Sequence, residues 1–163
     1  MKRFVLLLLI GFSFAFTNEI QAQSFSNAVG LRLGFPVSVS YKQFISETGA
    51  FEVYAGTRGY INYRWMNISA AYQKHAPLDD IVPGLEWYWG VGASAYLYSF
   101  DNTFVGEANN LGLGAQGYLG VQYNFDDMPV NVTVDWVPTI FFSGYISGAG
   151  FGYGSLAVRY ILN

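Results

Sequence analysis

A two-residue alternation runs through the second half of the chain and places apolar side chains on one face only. From Trp87 the odd positions read Trp87, Trp89, Val91, Ala93, Ala95 and Leu97, against Glu86, Tyr88, Gly90, Gly92, Ser94 and Tyr96 at the even ones. After a polar gap it resumes, with Leu111, Leu113, Ala115, Gly117, Leu119, Val121, Tyr123 and Phe125 against Gly112, Gly114, Gln116, Gly120, Gln122 and Asn124. A period of two is that of a β-strand. These runs are about a dozen residues long, where soluble strands are usually about 5–6. Long strands with one apolar face and one Gly-, Ser-, Tyr- or charge-bearing face are what a transmembrane barrel needs. Lipid wets the outside, and polar side chains fill the inside.

Alternation and turn chemistry together predict eight strands, over residues 28–35, 37–44, 50–57, 64–74, 85–98, 111–125, 130–142 and 150–162. Breaks fall at Phe35-Pro36, at Glu47-Thr48-Gly49, between Pro77 and Gly84, and at Asp126-Asp127-Met128-Pro129, all rich in turn formers. The fold class expected is all-β: an eight-stranded antiparallel up-and-down transmembrane β-barrel. Eight strands enclose an interior just wide enough to be filled by side chains. With both termini in the periplasm, the long gaps at 99–110 and 143–149 face outward. The turn at 75–84 is then long for a periplasmic one, and the first hairpin is short for an external one.

The N-terminus adds a compartment. Lys2 and Arg3 precede an apolar run from Phe4 to Phe16, and Ile20-Gln21-Ala22 supplies a small-residue site. This predicts a secretory signal peptide over 1–22, cleaved after Ala22, and a barrel domain over 23–163. The run is too short for a spanning helix, which needs roughly 20 apolar residues. The chain has no cysteine, which excludes a lipoprotein, disulfides and thiolate metal sites. Of 8 basic and 11 acidic residues, the expected mature chain keeps 6 and 10, a net charge of −4. No basic patch suggests nucleic acid. Charged residues make up 12% of the chain, about half the usual share for a soluble domain.

Several motifs invite chemistry and lose it on inspection. Gly112-Leu113-Gly114-Ala115-Gln116-Gly117 fits the dinucleotide fingerprint, but that fingerprint needs a helix to open there, and strand alternation runs straight through it. Inner-face glycines that make room for tyrosines explain it better. His75 is the sole histidine; a Ser-His-acid hydrolase would need it beside a serine and a carboxylate. Its setting between Lys74 and Pro77 reads as a solvated turn. Asp79-Asp80 and Asp126-Asp127 lack the spaced oxygens of a calcium loop. No catalytic residue, cofactor or metal site is therefore expected.

Two sets of residues remain. By alternation Arg32, Lys42, Glu52, Glu86, Asp135 and Arg159 point inward. In a narrow lumen they must pair or be hydrated, which predicts a plug of salt bridges, with Arg32, Asp135 and Arg159 in one cluster on strands that closure makes neighbours. An ion pathway is the alternative. Trp65, Trp87, Trp89 and Trp136, with Tyr63 and Tyr72, fit interfacial aromatic girdles, with polar tips at the headgroups and rings in the apolar boundary.

The last strand reads Ser155-Leu156-Ala157-Val158-Arg159-Tyr160-Ile161-Leu162. It resembles the C-terminal assembly signal of outer-membrane barrels, carried here by Ser155, Ala157, Tyr160 and Leu162. Ala157 stands where glycine is usual, and Asn163 extends past the terminal apolar residue. Gly30-Leu31-Arg32-Leu33-Gly34 and Ser40-Tyr41-Lys42 are similar to the same group. The mature chain thus resembles the small outer-membrane β-barrel proteins of Gram-negative bacteria. That resemblance implies the cell outer membrane as location, with its lipid and its assembly machinery as partners. It implies little about activity. The reading is a non-enzymatic, monomeric barrel with a structural or surface-interaction role. Two other classes stay open: a soluble secreted ligand-binding barrel of lipocalin-like design, with the apolar stripe inside, and an outer-membrane lipid-modifying enzyme.

Overall fold

The computed structural model describes residues 26–34, 36–59, 63–100, 111–143 and 147–162. The expected signal peptide and most of the 99–110 gap lie outside these. Ten strand segments follow in order: β1 (Asn27–Gly34), β2 (Val37–Phe44), β3 (Gly49–Gly59), β4 (Tyr63–Pro77), β5 (Leu85–Phe100), β6 (Leu111–Asn124), β7 (Val130–Trp136), β8 (Thr139–Ser143), β9 (Gly148–Gly150) and β10 (Gly154–Leu162). No helix occurs among the described residues. All pairings are antiparallel, and β1 closes against β10. β7 and β8 are successive parts of one strand along β6, and β9 and β10 of another. The fold is a closed eight-stranded up-and-down barrel.

The two interrupted strands break where backbone chemistry demands it. Pro138 has no N–H to give the ladder, though its carbonyl still accepts from Gly117 N at 2.9 Å. Opposite, Trp136 faces Gly154 while Thr139 faces Gly150. Two residues on one strand thus span three on the other, a β-bulge that switches which parity faces inward.

Closure is staggered. The ladder leaving Val130 passes Tyr160, Val29, Tyr41, Val53, Ala70, Ala93 and Ala115 and returns at Ile140, 10 residues along the same strand. A stagger of 10 over eight strands tilts them by about 40°. All of these positions are on the outside of the barrel.

The exposure pattern is that of a soluble protein turned inside out. Leu31, Val39, Ile68, Val91, Leu119 and Val134 are about half exposed, while Lys42 and Glu52 are 0% exposed and Arg159 1%. Glycines fit the crowded interior: a Cβ on Gly120 would sit 2.8 Å from the Tyr88 ring. At one end, the first and last strands meet at Asn27 opposite Leu162, beside three turns. Gly49 N closes one on Ser46 Oγ at 2.9 Å. In the second, Leu78 N bonds Leu85 O at 2.8 Å, Gly84 has φ +81°, and Asp79 Oδ1 accepts from Gly84 N. The third is the exposed Asp126-Asp127-Met128-Pro129 segment.

Candidate functional site

The lumen holds the chemistry. Its middle is built around Glu52, on β3. Arg32 Nη1 donates to Glu52 Oε1 at 2.9 Å, Arg159 Nη2 donates to the same oxygen, and Gln73 Nε2 donates to Oε2 at 2.7 Å. The second guanidinium nitrogen of Arg32 reaches both oxygens of Asp135, at 2.8 and 3.0 Å. Tyr88 Oη and Ser155 Oγ complete Asp135 at 2.7 and 2.6 Å. Arg159 also donates to Ser40, Asn131 and Thr133.

Asp135 and Arg159 therefore do not meet directly. Asp135 faces Ser155 in the ladder, four positions from Arg159, or about 13 Å along a strand. Arg32, facing Ala157 between them, reaches Asp135 with one nitrogen and Glu52 with the other. Of the three residues expected as one cluster, Arg32 and Asp135 pair directly, and Arg159 joins them only through Glu52 of β3.

Below this lies a second network. Lys42 Nζ donates to Gln122 Oε1 at 2.9 Å and sits 4.6 Å from the centre of the Tyr88 ring. Gln122 Nε2 and Asn124 Nδ2 donate to Glu86 at 2.9 and 3.1 Å. His75 Nδ1 is 3.0 Å from Glu86 Oε2, the oxygen that Gln122 also reaches, and its ring stacks on Tyr88 at 4.8 Å. His75 is 4% exposed, which corrects the solvated-turn expectation: β4 runs on to Pro77, and the odd parity of Asn67, Ser69, Ala71 and Gln73 carries His75 inward. Among the described residues Arg32, Lys42 and Arg159 thus share the middle and lower lumen with Glu52, Glu86 and Asp135, joined in part by amide side chains.

The upper lumen is aromatic. Trp65, expected in a girdle, points inward and is 6% exposed, packed with Tyr96, Tyr98 and Phe141. Its parity on β4 is that of Asn67 and Ser69. Trp87, Trp89 and Trp136 do face outward, as does Tyr72; Trp136 Nε1 donates to Phe151 O at 2.6 Å. The side chain of Tyr63 lies outside the described residues. Between the aromatic cup and Arg32 is a polar cavity of about 30 Å³, lined by Ser38, Tyr54, Asn67 and Gln116 among others. Among the described residues, Asn67 Oδ1, Gln73 Oε1 and His75 Nε2 are buried without a hydrogen bond.

In the last strand Ser155 and Ala157 face the lumen, and Tyr160 and Leu162 face out. The glycine-rich stretch at 112–117 lies wholly within β6, so no helix opens there for a pyrophosphate. No group of three or more metal-binding side chains occurs among the described residues.

No family model matches the chain. No curated protein matches it either. Among solved structures it is similar to the crystal structure of Neisserial surface protein A (NspA). The TM-score is 0.62 at 15% identity, over 83% of this chain and 93% of that one. The likeness is one of fold, a closed eight-stranded antiparallel barrel.

Proposed function

We propose that this protein spans the outer membrane of a Gram-negative envelope as a small non-enzymatic barrel with a structural or surface-interaction role and a lumen closed by side chains. One observation carries the reading: the inverted polarity of the wall, with large aliphatic side chains exposed outside and charges buried inside. Water on that outer face would cost about 25 cal/mol for each Å² of apolar surface left wet, whereas lipid removes the penalty. A secreted ligand-binding barrel would need the reverse arrangement. The fold likeness to a Neisserial surface protein supports the location. His75 pairs with Glu86 through Nδ1 while its Nε2 is buried without a hydrogen-bond partner among the described residues, so no nucleophile is held on it, which favours a non-enzymatic role. Outer-membrane lipid and the envelope's assembly machinery are the partners this reading requires, and a monomer is its simplest state.

The test is dependence on amphiphile. The protein extracted from membranes should be a heat-modifiable monomer in detergent micelles and should aggregate when detergent is removed. A monodisperse monomer in detergent-free buffer would overturn the reading.

A further inference from the structure

The wall of the barrel has uneven height. β1 and β2 pair with their outer neighbours only as far as Gly34, opposite Ser155, and Val37, opposite Thr57. On one side β3 continues to Gly59, still paired with β4. On the other, the eighth strand continues from Ser155 up to Gly148, paired with the seventh. Among the described residues nothing pairs with the inner edges of these two extensions. Among the described residues the β1–β2 hairpin therefore forms the floor of a lateral notch in the paired wall.

The polar cavity of about 30 Å³ opens at this notch: Pro36 of the hairpin and Gly154 of the far lip both line it. Asn67, 4% exposed, also lines it and holds Oδ1 without a partner. A buried acceptor left so costs about 1–3 kcal/mol, and a hydroxyl or water of the right size would meet it. At the near lip stands Arg64, exposed, with its Nε only 3.9 Å from where a Cβ on Gly59 would be. It makes no ion pair among the described residues. Beneath the notch the outer wall is aliphatic, with Leu31, Leu33, Val37 and Val39 all about half exposed.

We infer that the notch above the β1–β2 hairpin binds a membrane amphiphile whose head carries phosphate and hydroxyl groups. The acyl chain lies on the aliphatic wall of the hairpin, the phosphate meets the Arg64 guanidinium, and a head hydroxyl enters the cavity and donates to Asn67 Oδ1. Charge and size choose this occupant. A cation is repelled by Arg64, a free sugar has no use for the aliphatic wall, and the cavity admits a hydroxyl rather than a whole head. The inference rests on the membrane reading above.

The experiment compares the full barrel in nanodiscs of phosphatidylcholine doped with phosphatidylglycerol, reading retained lipid by native mass spectrometry. One phosphatidylglycerol should be retained in preference to phosphatidylcholine. R64Q should lower that preference roughly tenfold, because the guanidinium attracts the net negative head of phosphatidylglycerol and repels the choline cation of phosphatidylcholine, and N67L should lower it by a smaller factor. K74Q, at the opposite end of β4, should leave it unchanged, and glycerol phosphate in solution should not compete. Equal retention of the two lipids, or an unaltered preference in R64Q, overturns the inference while leaving the membrane reading intact. A protein that does not enter nanodiscs overturns both.

Discussion

Removing Glu52 should be among the most damaging single changes to this barrel. Its carboxylate accepts from Arg32, Arg159 and Gln73, and Glu52, Arg32 and Arg159 are each no more than 3% exposed. In Glu52→Ala, Arg32 keeps its two bonds to Asp135, but Arg159 is left with the neutral acceptors Ser40, Asn131 and Thr133. An uncompensated buried charge costs about 3–5 kcal/mol, and water drawn into the space left by the side chain returns part of that. A net loss of about 3 kcal/mol is expected. Glu52→Gln preserves shape and an acceptor and should lose about half as much, the difference between a charged and a neutral hydrogen bond. The assay is urea unfolding in detergent micelles, followed by tryptophan fluorescence and by the heat-dependent gel shift. A double-mutant cycle on Glu52 and Arg159 should show coupling of about 1–3 kcal/mol, whereas Asp135 and Arg159, linked only through Arg32 and Glu52, should couple more weakly than that. A loss below about 1 kcal/mol in Glu52→Ala, which is within the range of an ordinary substitution, would refute the hub. So would strong coupling of Asp135 to Arg159 with none to Glu52.

Four further outcomes follow from the wall and its assembly. Val91→Arg or Leu119→Arg should cost roughly 2–4 kcal/mol in a bilayer refolding titration. Ser94→Ala, which gives up a 3.4 Å contact to Gly114 O and a hydrogen bond with Tyr96 in the lumen, should cost about 1 kcal/mol, and equal penalties would contradict the face assignment. Gly92→Ser is not a mild lumen change, because a Cβ there would lie 2.6 Å from Ala70 O; it should destabilise more than Ser94→Ala in the same titration. Single-tryptophan variants in vesicles of brominated lipid should show quenching for Trp87, Trp89 and Trp136 and little for Trp65, and the reverse order would invert the barrel wall. Tyr160→Asp, at a position 57% exposed on the outer face of β10, should leave the protein in the periplasm for proteolysis, and normal folded protein in the membrane fraction would count against an assembly role.

Period-two alternation in the sequence determined most of the architecture. It determined that the elements are strands, that there are eight, and that Arg32, Lys42, Glu52, Glu86, Asp135 and Arg159 share the face of the glycines and tyrosines. Parity is local, so it survives without knowledge of neighbours. It also held the answer for Trp65 and His75, which share the odd face of Asn67 and Gln73; grouping tryptophans by type and reading His75 by its proline neighbour obscured it. What no local pattern carries is register. Which charges touch depends on a stagger of 10 residues around the closed sheet, a sum over all eight ladders, and that sum set Glu52 rather than Asp135 against Arg159. The bulge opposite Pro138 and the notch above the short first hairpin are likewise relations between strands. Pairing over more than 100 positions of sequence, as between Arg32 and Asp135, exists only once the barrel has closed.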